Sequence, residues 1–571
     1  VTYSLLGALG ILIIVGVAVA APKLGMAAPL ILVLVGIAVS LVPGVPAVVV
    51  PPEFILAAVL PPILYAAAVN IPIVDFRRNV KAITGLSVLL VIGSALASGA
   101  LFHWLLPELS LPAAIALGAV VSPPDAVAAT SIGRRLGLPP RLIAMLHGES
   151  LVNDASALVL LRSALAATAG AMAFIDLAGD FVYAVATAIV IGFLVGHATV
   201  WMRSRLDNAV LNTTISFAVP FLAFIPADAI KASGVLSVVV AGLVTGHQSA
   251  RLFSAQDRIN ERVNWRTAQF VLENGVFLIM GFELKDLVDQ VKDNHFSVTQ
   301  AIGLGLVATL VLAVVRIAFV VPLIAVLRRD ESRAREKGPH AGHSRRWPGR
   351  WVPAGEKARR RERLTRMRKR ADFDFLTTEG LDWRGGAVLA WSGMRGVVTV
   401  AAAHSLPVST PYRPQLLLIA FTVAIVSLLV QGGTLPFVIG RLGIAGRDAA
   451  ADRAELVRLV EEMSDCGLAM LQRPALVWDN GDRFDPSVVE RVRSEVTMRA
   501  ELLSEIPGRE DAGPQEQYRA LRIRELQAER TALLDARTTG SYSSRAIERA
   551  QRLLDLEESR LGASADEPEH L

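Results

Sequence analysis

Thirteen blocks of apolar residues run through this chain, most of them about 17–25 residues long, enough to cross a hydrocarbon core of ~30 Å as helices. Lipid offers no water to satisfy backbone N–H and C=O groups, so such blocks must close their hydrogen bonds within helices. They fall at 3–21, 26–42, 54–69, 82–106, 111–132, 142–169, 181–202, 210–225, 229–247, 263–284, 296–327, 385–403 and 416–439. A hydrophobic fraction of 53% against 19% charged residues and a mean hydropathy of +0.48 exclude an ordinary soluble globule. The expected fold class is an all-α polytopic membrane protein.

The Lys/Arg distribution tests the count and sets the orientation. With the N-terminus outside, the cytoplasmic loops and flanks hold thirteen cations: Lys23; Arg77, Arg78, Lys81; Arg134, Arg135, Arg141; Arg203, Arg205; and Arg251, Arg258, Arg262, Arg266. The opposite loops hold four: Lys231, Lys285, Lys292 and Arg413. A missed or added span would scramble this alternation. The chain is therefore expected in the cell (inner) membrane, N-terminus outside and C-terminus inside. The Ala18-Val19-Ala20 run looks like a signal cleavage site, but no basic residue precedes the apolar run, so it reads as a retained span. Because the cations cluster in loops, the net charge of +5 reflects topology and implies no nucleic-acid partner. Cys466 alone can form no intramolecular disulfide.

Two domains are expected: a transmembrane domain over residues 1–445 and a cytoplasmic helical tail over residues 446–571. Helical periodicity marks the tail at 452–471, 515–537 and 544–561, the last with Ser543 or Ser544 as N-cap, and the acidic end 563–571 should fray. A cytoplasmic loop, 328–383, separates spans eleven and twelve and carries a basic stretch ending at Lys369-Arg370. It reads as a solvated loop, or as an interfacial anchor through Trp347 and Trp351 among Arg345, Arg346 and Arg350.

Ionisable groups within spans are costly and so mark functional sites. Asp125, Glu149, Asp154, Glu273, Arg316 and Arg395 fall there, and Arg162 approaches the far interface. Pro123 and Pro124 remove two backbone donors just before Asp125, so span five should be interrupted. Span twelve has its own break at Ser392-Gly393-Met394-Arg395-Gly396. Paired breaks in two halves are the mark of an inverted-repeat transporter. Asp125 and Arg395 can neutralise the half-helix dipoles there.

In span six, Ser150, Asn153 and Asp154 stand at i, i+3 and i+4, on one face. A hydroxyl, an amide and a carboxylate, joined by carbonyls freed in span five, including that of Pro124, form a hard oxygen set without thiol or imidazole. Burial penalises the charged carboxylate, so a proton and a monovalent cation compete for the same oxygens. Glu149 points away from this face, and Arg316, alone in its apolar run, is its natural partner. His103, His147, His197, His247 and His404, near span ends, read as structural. Glu273 is left outside the site.

Three segments, Ser122-Pro-Pro-Asp-Ala-Val-Ala128, His147-Gly-Glu-Ser-Leu-Val-Asn-Asp154 and Trp391-Ser-Gly-Met-Arg-Gly-Val-Val398, closely resemble the electroneutral sodium/proton exchanger branch of the monovalent cation/proton antiporter superfamily, over roughly 1–445. The resemblance implies a homodimer of thirteen-helix protomers with two crossed, interrupted helices and elevator-like alternating access. It makes Asp154 the proton and cation carrier, with Asn153 its companion, Ser150 a ligand, Glu149 paired with Arg316, and Asp125 with Arg395 at the crossing. Electrogenic relatives carry Asp-Asp where this chain has Asn153-Asp154, so one-for-one exchange is implied. Position 124 is commonly threonine in the family; proline here leaves only a carbonyl. The long basic loop is also unusual for it.

The expected function is thus secondary antiport of Na⁺, with Li⁺ or K⁺ as alternatives, against H⁺, without an enzymatic step or cofactor. An intramembrane aspartyl protease would need two carboxylates sharing a proton, and neither Asp125 nor Asp154 stands in a Gly-x-Gly-Asp context. A cation channel would need continuous multi-site conduction, whereas one acid between two breaks suits stepwise exchange.

Overall fold

The computed structural model describes residues 2–24, 26–42, 51–169, 174–206, 208–292, 297–337, 371–373, 375, 380–407, 409–444, 449–472, 484–504, 514–539 and six positions between 550 and 557. The described residues form helices and no strand. The longer ones are, in chain order, α1 Thr2–Leu24, α2 Ala28–Ser40, α3 Ile55–Val69, α4 Val80–Leu105, α5 Leu111–Val121, α6 Val127–Arg135, α7 Pro140–Ala169 and α8 Phe174–Arg203. There follow α9 Ala209–Ala229, α10 Gly234–Leu252, α11 Ala255–Lys292, α12 Val298–Lys337, α13 Trp383–Trp391, α14 Val397–His404 and α15 Arg413–Leu442. Among the described residues, seven helices are long and apolar enough to cross a membrane, and four shorter ones are also apolar. Two apolar blocks, 111–132 and 385–403, are each split into a pair of half-helices, α5/α6 and α13/α14.

Prolines shape the other spans as well. Pro61 and Pro62 lack the N–H groups that Ala57 and Ala58 would accept from, and the chain widens into a π turn at Ile55–Val59. Pro436 likewise strands the carbonyl of Gly432, where the π turn Leu428–Gly432 ends, whereas a further π turn, Gly85–Leu89 in α4, forms without a proline. Such turns leave carbonyls free without breaking the span.

Two apolar clusters organise the bundle. One gathers around the broken helices, from α4, α5, α6, α12, α13 and α15, with Leu32 and Val33 of α2 and Phe277 and Leu278 of α11. The other joins α3, α8, α9 and α10 to Trp265 of α11. Helix α7 serves both: Leu146 and Leu161 pack into the first, Leu151 and Ala155 into the second. A seam therefore runs along the helix that carries Asp154.

Small residues set the closest approach. A Cβ on Gly36 of α2 would stand 2.5 Å from the Leu278 carbonyl oxygen and 2.8 Å from the Cα of Gly281 on α11, so backbone meets backbone there. Gly36→Ala is expected to cost about 1–3 kcal/mol by overpacking. Gly7→Ala, with nothing within 4 Å of its Cβ, should be neutral or slightly stabilising. Thermal unfolding of the two purified variants checks this.

The chain divides into two compact units, Val1–Ile444 and Ala445–Leu571. The second contains α16 Ala449–Leu471, α17 Pro486–Ser504 and α18 Pro514–Thr539. Helix α17 is absent from the sequence expectation. Its apolar face is mostly valine, a weak helix former, but Asp485 precedes it and accepts from the Ser487 N–H at 2.8 Å. The loop after span eleven starts later than expected, because α12 continues in helix to Lys337. Most of 544–561, Ser543 and Ser544, the segment 563–571, and the basic stretch with Trp347 and Trp351 lie outside the described residues.

Candidate functional site

Helix α5 stops at Val121 because Pro123 and Pro124 cannot continue its hydrogen bonds. The chain from 122 to 126 is non-helical, with the Ser122 hydroxyl donating back to the Ala119 carbonyl at 3.0 Å. Residues 392–396 interrupt span twelve in the same way. The two breaks meet: the Asp125 N–H donates to the Met394 carbonyl at 2.6 Å. A side chain on Gly396 would collide with the Asp125 carboxylate, so glycine is what permits that approach.

The charges at the breaks complement the half-helix ends. Asp125 Oδ1 accepts from the Val127 N–H at 2.8 Å, at the positive start of α6, and its carboxylate also lies against the start of α14. Arg395 does the reverse. Its Nε donates to the Val121 carbonyl at 3.2 Å, its Nη2 to the Ser122 carbonyl at 3.5 Å and its Nη1 to the Gly393 carbonyl. Its backbone N–H is held by the Ser427 hydroxyl at 2.9 Å, which ties the break to α15.

Helix α7 passes alongside. Asn153 is fully buried and its Nδ2 donates to the Pro124 carbonyl at 2.5 Å, while its Oδ1 has no protein partner. Asp154 follows, 7% exposed, within electrostatic reach of Asp125. Ser150, one turn earlier on the same face, is half-buried. Asn153 thus joins α7 directly to the broken helix.

Glu149, on the other side of α7, meets Arg316 of α12 in a two-pronged ion pair, with Nη1 to Oε1 at 2.5 Å and Nη2 to Oε2 at 2.9 Å. Both side chains are at most 3% exposed. The Arg316 Nε also donates to the Leu389 carbonyl at 3.1 Å, so one guanidinium links α12, α7 and α13. Glu273, on α11, accepts from Gln269 at 2.7 Å and, like Asp154, feels the charge of Asp125. Three of the five histidines hold structural bonds: His103 to the Leu109 carbonyl, His197 to the Phe193 carbonyl, His404 to the Val400 carbonyl.

Two ionic arrangements escape the sequence reading. Arg203 of α8 and Glu261 of α11 pair at 3.0 Å, both buried, with Asn212 accepting from the Arg203 Nε and Phe253 under the guanidinium at 4.3 Å. In the sequence Arg203 reads as a loop flank. Arg162 of α7 meets Asp228 of α9 at 2.5 Å. Its partner lies 66 residues on, and only a helix-pairing signal could have linked them.

Chemically, the assembly sets the Asp154 carboxylate beside an amide, a hydroxyl and freed carbonyls. Glu149 is balanced by Arg316, and Asp125 and Arg395 by the half-helix ends, while Glu273 is held by the neutral Gln269 amide.

Comparison with known proteins is consistent across sequence and structure. The uncharacterized Na(+)/H(+) exchanger Rv2287 of Mycobacterium tuberculosis is 28% identical over 557 residues, which span 94% of this chain and 92% of that protein. The Na(+)/H(+) antiporter ApNhaP of Aphanothece halophytica is 25% identical, over 75% of this chain and 70% of its own length. A sodium, potassium, lithium and rubidium/H(+) antiporter of Bacillus pumilus is 27% identical, over 72% of this chain but 57% of its own. The sodium proton antiporter MjNhaP1 of Methanocaldococcus jannaschii shares the fold, with a TM-score of 0.54 at 17% identity over 76% of this chain and 97% of that one. The family model described as "Sodium/hydrogen exchanger, transmembrane" matches residues 9–440, most of the chain, and the chain therefore belongs to the transmembrane sodium/hydrogen exchangers, secondary transporters rather than enzymes.

Proposed function

We propose that Asp154 is the carrier through which a monovalent cation, sodium first and lithium or potassium as alternatives, is exchanged one-for-one against a proton. The observation that carries this reading is the Asn153 bond to the Pro124 carbonyl. It brings the acid's neighbour onto the broken helix, where Pro124 and Asn153 still have oxygen lone pairs for a cation. Asp154, Asn153, Ser150 and the Pro124 carbonyl form the cation set, with Asp125 contributing charge. Those ligand types suit a hard monovalent ion, and relatives named for sodium, potassium, lithium and rubidium fit the same set.

Coupling follows from burial. A carboxylate carrying either H⁺ or Na⁺ is neutral, whereas the empty carboxylate is charged and costly to move through a low-dielectric seam. Only the two loaded forms cross readily, so inward movement of one ion requires outward movement of the other. Glu149 with Arg316, and Asp125 and Arg395 with the helix ends, stay balanced throughout. Their charge does not change between the two loaded forms, so each cycle moves no net charge. The same reading includes thirteen spans in a homodimer, the N-terminus outside, a transmembrane domain over residues 1–445, a cytoplasmic tail over residues 446–571 and elevator-like movement.

An imposed voltage tests the stoichiometry. One net charge per cycle would shift the equilibrium ion gradient about 50-fold per 100 mV, since 100 mV corresponds to ~2.3 kcal/mol per charge. In proteoliposomes of the purified chain, with Na⁺, Li⁺ and K⁺ tried in turn, the end-point gradient is expected to be independent of voltage. A voltage-dependent end point would replace one-for-one exchange with an electrogenic cycle.

A further inference from the structure

Beyond Asp154, helix α7 continues into the seam between the two apolar clusters. Leu158, Leu161 and Leu165 stand at i+4, i+7 and i+11 from Asp154, on the same face of the helix. All three line a cavity of about 280 Å³, closed opposite by Leu56 of α3, Phe224 of α9 and Val235 of α10. The seam is therefore poorly packed along the line that leads away from the carboxylate.

Arg162 belongs to the same lining. It lies about 12 Å along the helix from Asp154, eight residues at ~1.5 Å each. Its Nη2 meets the Asp228 carboxylate at 2.5 Å, and its Nη1 donates to the Ala232 carbonyl at 3.4 Å. Arg162 thus ties α7, the helix of the carrier, to both ends of the connection between α9 and α10, which belong to the other cluster. By the Lys/Arg distribution this end of α7 faces outward.

We propose that Arg162 and Asp228 form the outer gate of the transport path, an ion pair that must part before Asp154 exchanges its ion on that side. The proposal rests on Asp154 as the carrier. Three features support it. The pair spans the seam where packing is loose, so it contributes a large share of the closure there. Its side chains are 51% and 41% exposed, which makes the bond weak enough to break in every cycle. Finally, paired with Asp228 the guanidinium is neutralised; parted, it leaves a carboxylate at the mouth to receive a cation. A partly exposed pair of this kind biases an open–closed equilibrium by roughly two- to five-fold.

Accessibility measures this directly. In the full-length chain carrying Cys466→Ser, a single Leu161→Cys reports on the cavity through its rate of reaction with a membrane-impermeant maleimide added from the outer side. Arg162→Gln or Asp228→Asn should each raise that rate about two- to five-fold. The charge-swapped pair, Arg162→Asp with Asp228→Arg, should return it towards the parent value, and its recovery also shows that the chain folds. Unchanged labelling in both neutral variants, or a swapped pair as open as the single changes, overturns the gate. A failure of the carrier reading looks different: exchange would persist in Asp154→Asn, whatever the labelling.

Discussion

Asp154→Asn should reduce cation-coupled proton movement in vesicles to background while leaving a folded protein. Asparagine has nearly the shape of the protonated acid, so α7 can keep its packing against α5 and α6, and no charge need be desolvated. What it lacks is a proton to release and a negative charge for a cation. The distinction can be read without transport. An ion that binds the folded chain stabilises it by RT ln(1 + [L]/Kd), about 2.7 kcal/mol at a hundred times Kd. The parent protein should therefore melt at higher temperature as sodium is raised, and more so at alkaline than at acidic pH, because protons compete for the same oxygens. Asp154→Asn should melt at one temperature across the sodium series. Exchange by this variant, or a sodium-dependent melting point, would place the carrier elsewhere, and Glu273 would be the next acid to test.

The features of the site that follow from local covalent chemistry were readable in the sequence. Pro123 and Pro124 each remove a backbone donor wherever they stand, and Ser150, Asn153 and Asp154 must share a face if their segment is helical. The sign of Arg395 likewise predicted a negative helix end. What could not be read were the partners that depend on how helices pack. The Met394 carbonyl that receives the Asp125 N–H, and the Val121 and Ser122 carbonyls under Arg395, come from the meeting of two breaks some 270 residues apart. Arg203 reads as a loop flank because hydropathy averages over a window and its charge lies at the end of an apolar block, and nothing in the sequence links it to Glu261. The π turns of α3 and α15 escape the sequence for a subtler reason. A proline can kink, end or widen a helix, and the neighbours decide which.

Arg316→Ala should destabilise the transmembrane unit by about 3–5 kcal/mol, because it strands the buried Glu149 carboxylate without its two-pronged partner. Glu149 is 2% exposed and spends both oxygens on Arg316. The substitution also frees the Leu389 carbonyl and opens space beside Gly393, so the break in span twelve loses its support from α12. Yield of folded protein and melting temperature should both fall far more than in Ser150→Ala, where a half-buried hydroxyl is removed. The cause can be separated from lost volume by adding Glu149→Gln to Arg316→Ala. Removing the stranded charge should recover about 1–3 kcal/mol, the coupling expected of residues in direct contact. If Arg316→Ala matches the parent in stability, or if Glu149→Gln brings no recovery, the pair is not what holds α7, α12 and α13 in register around Asp154.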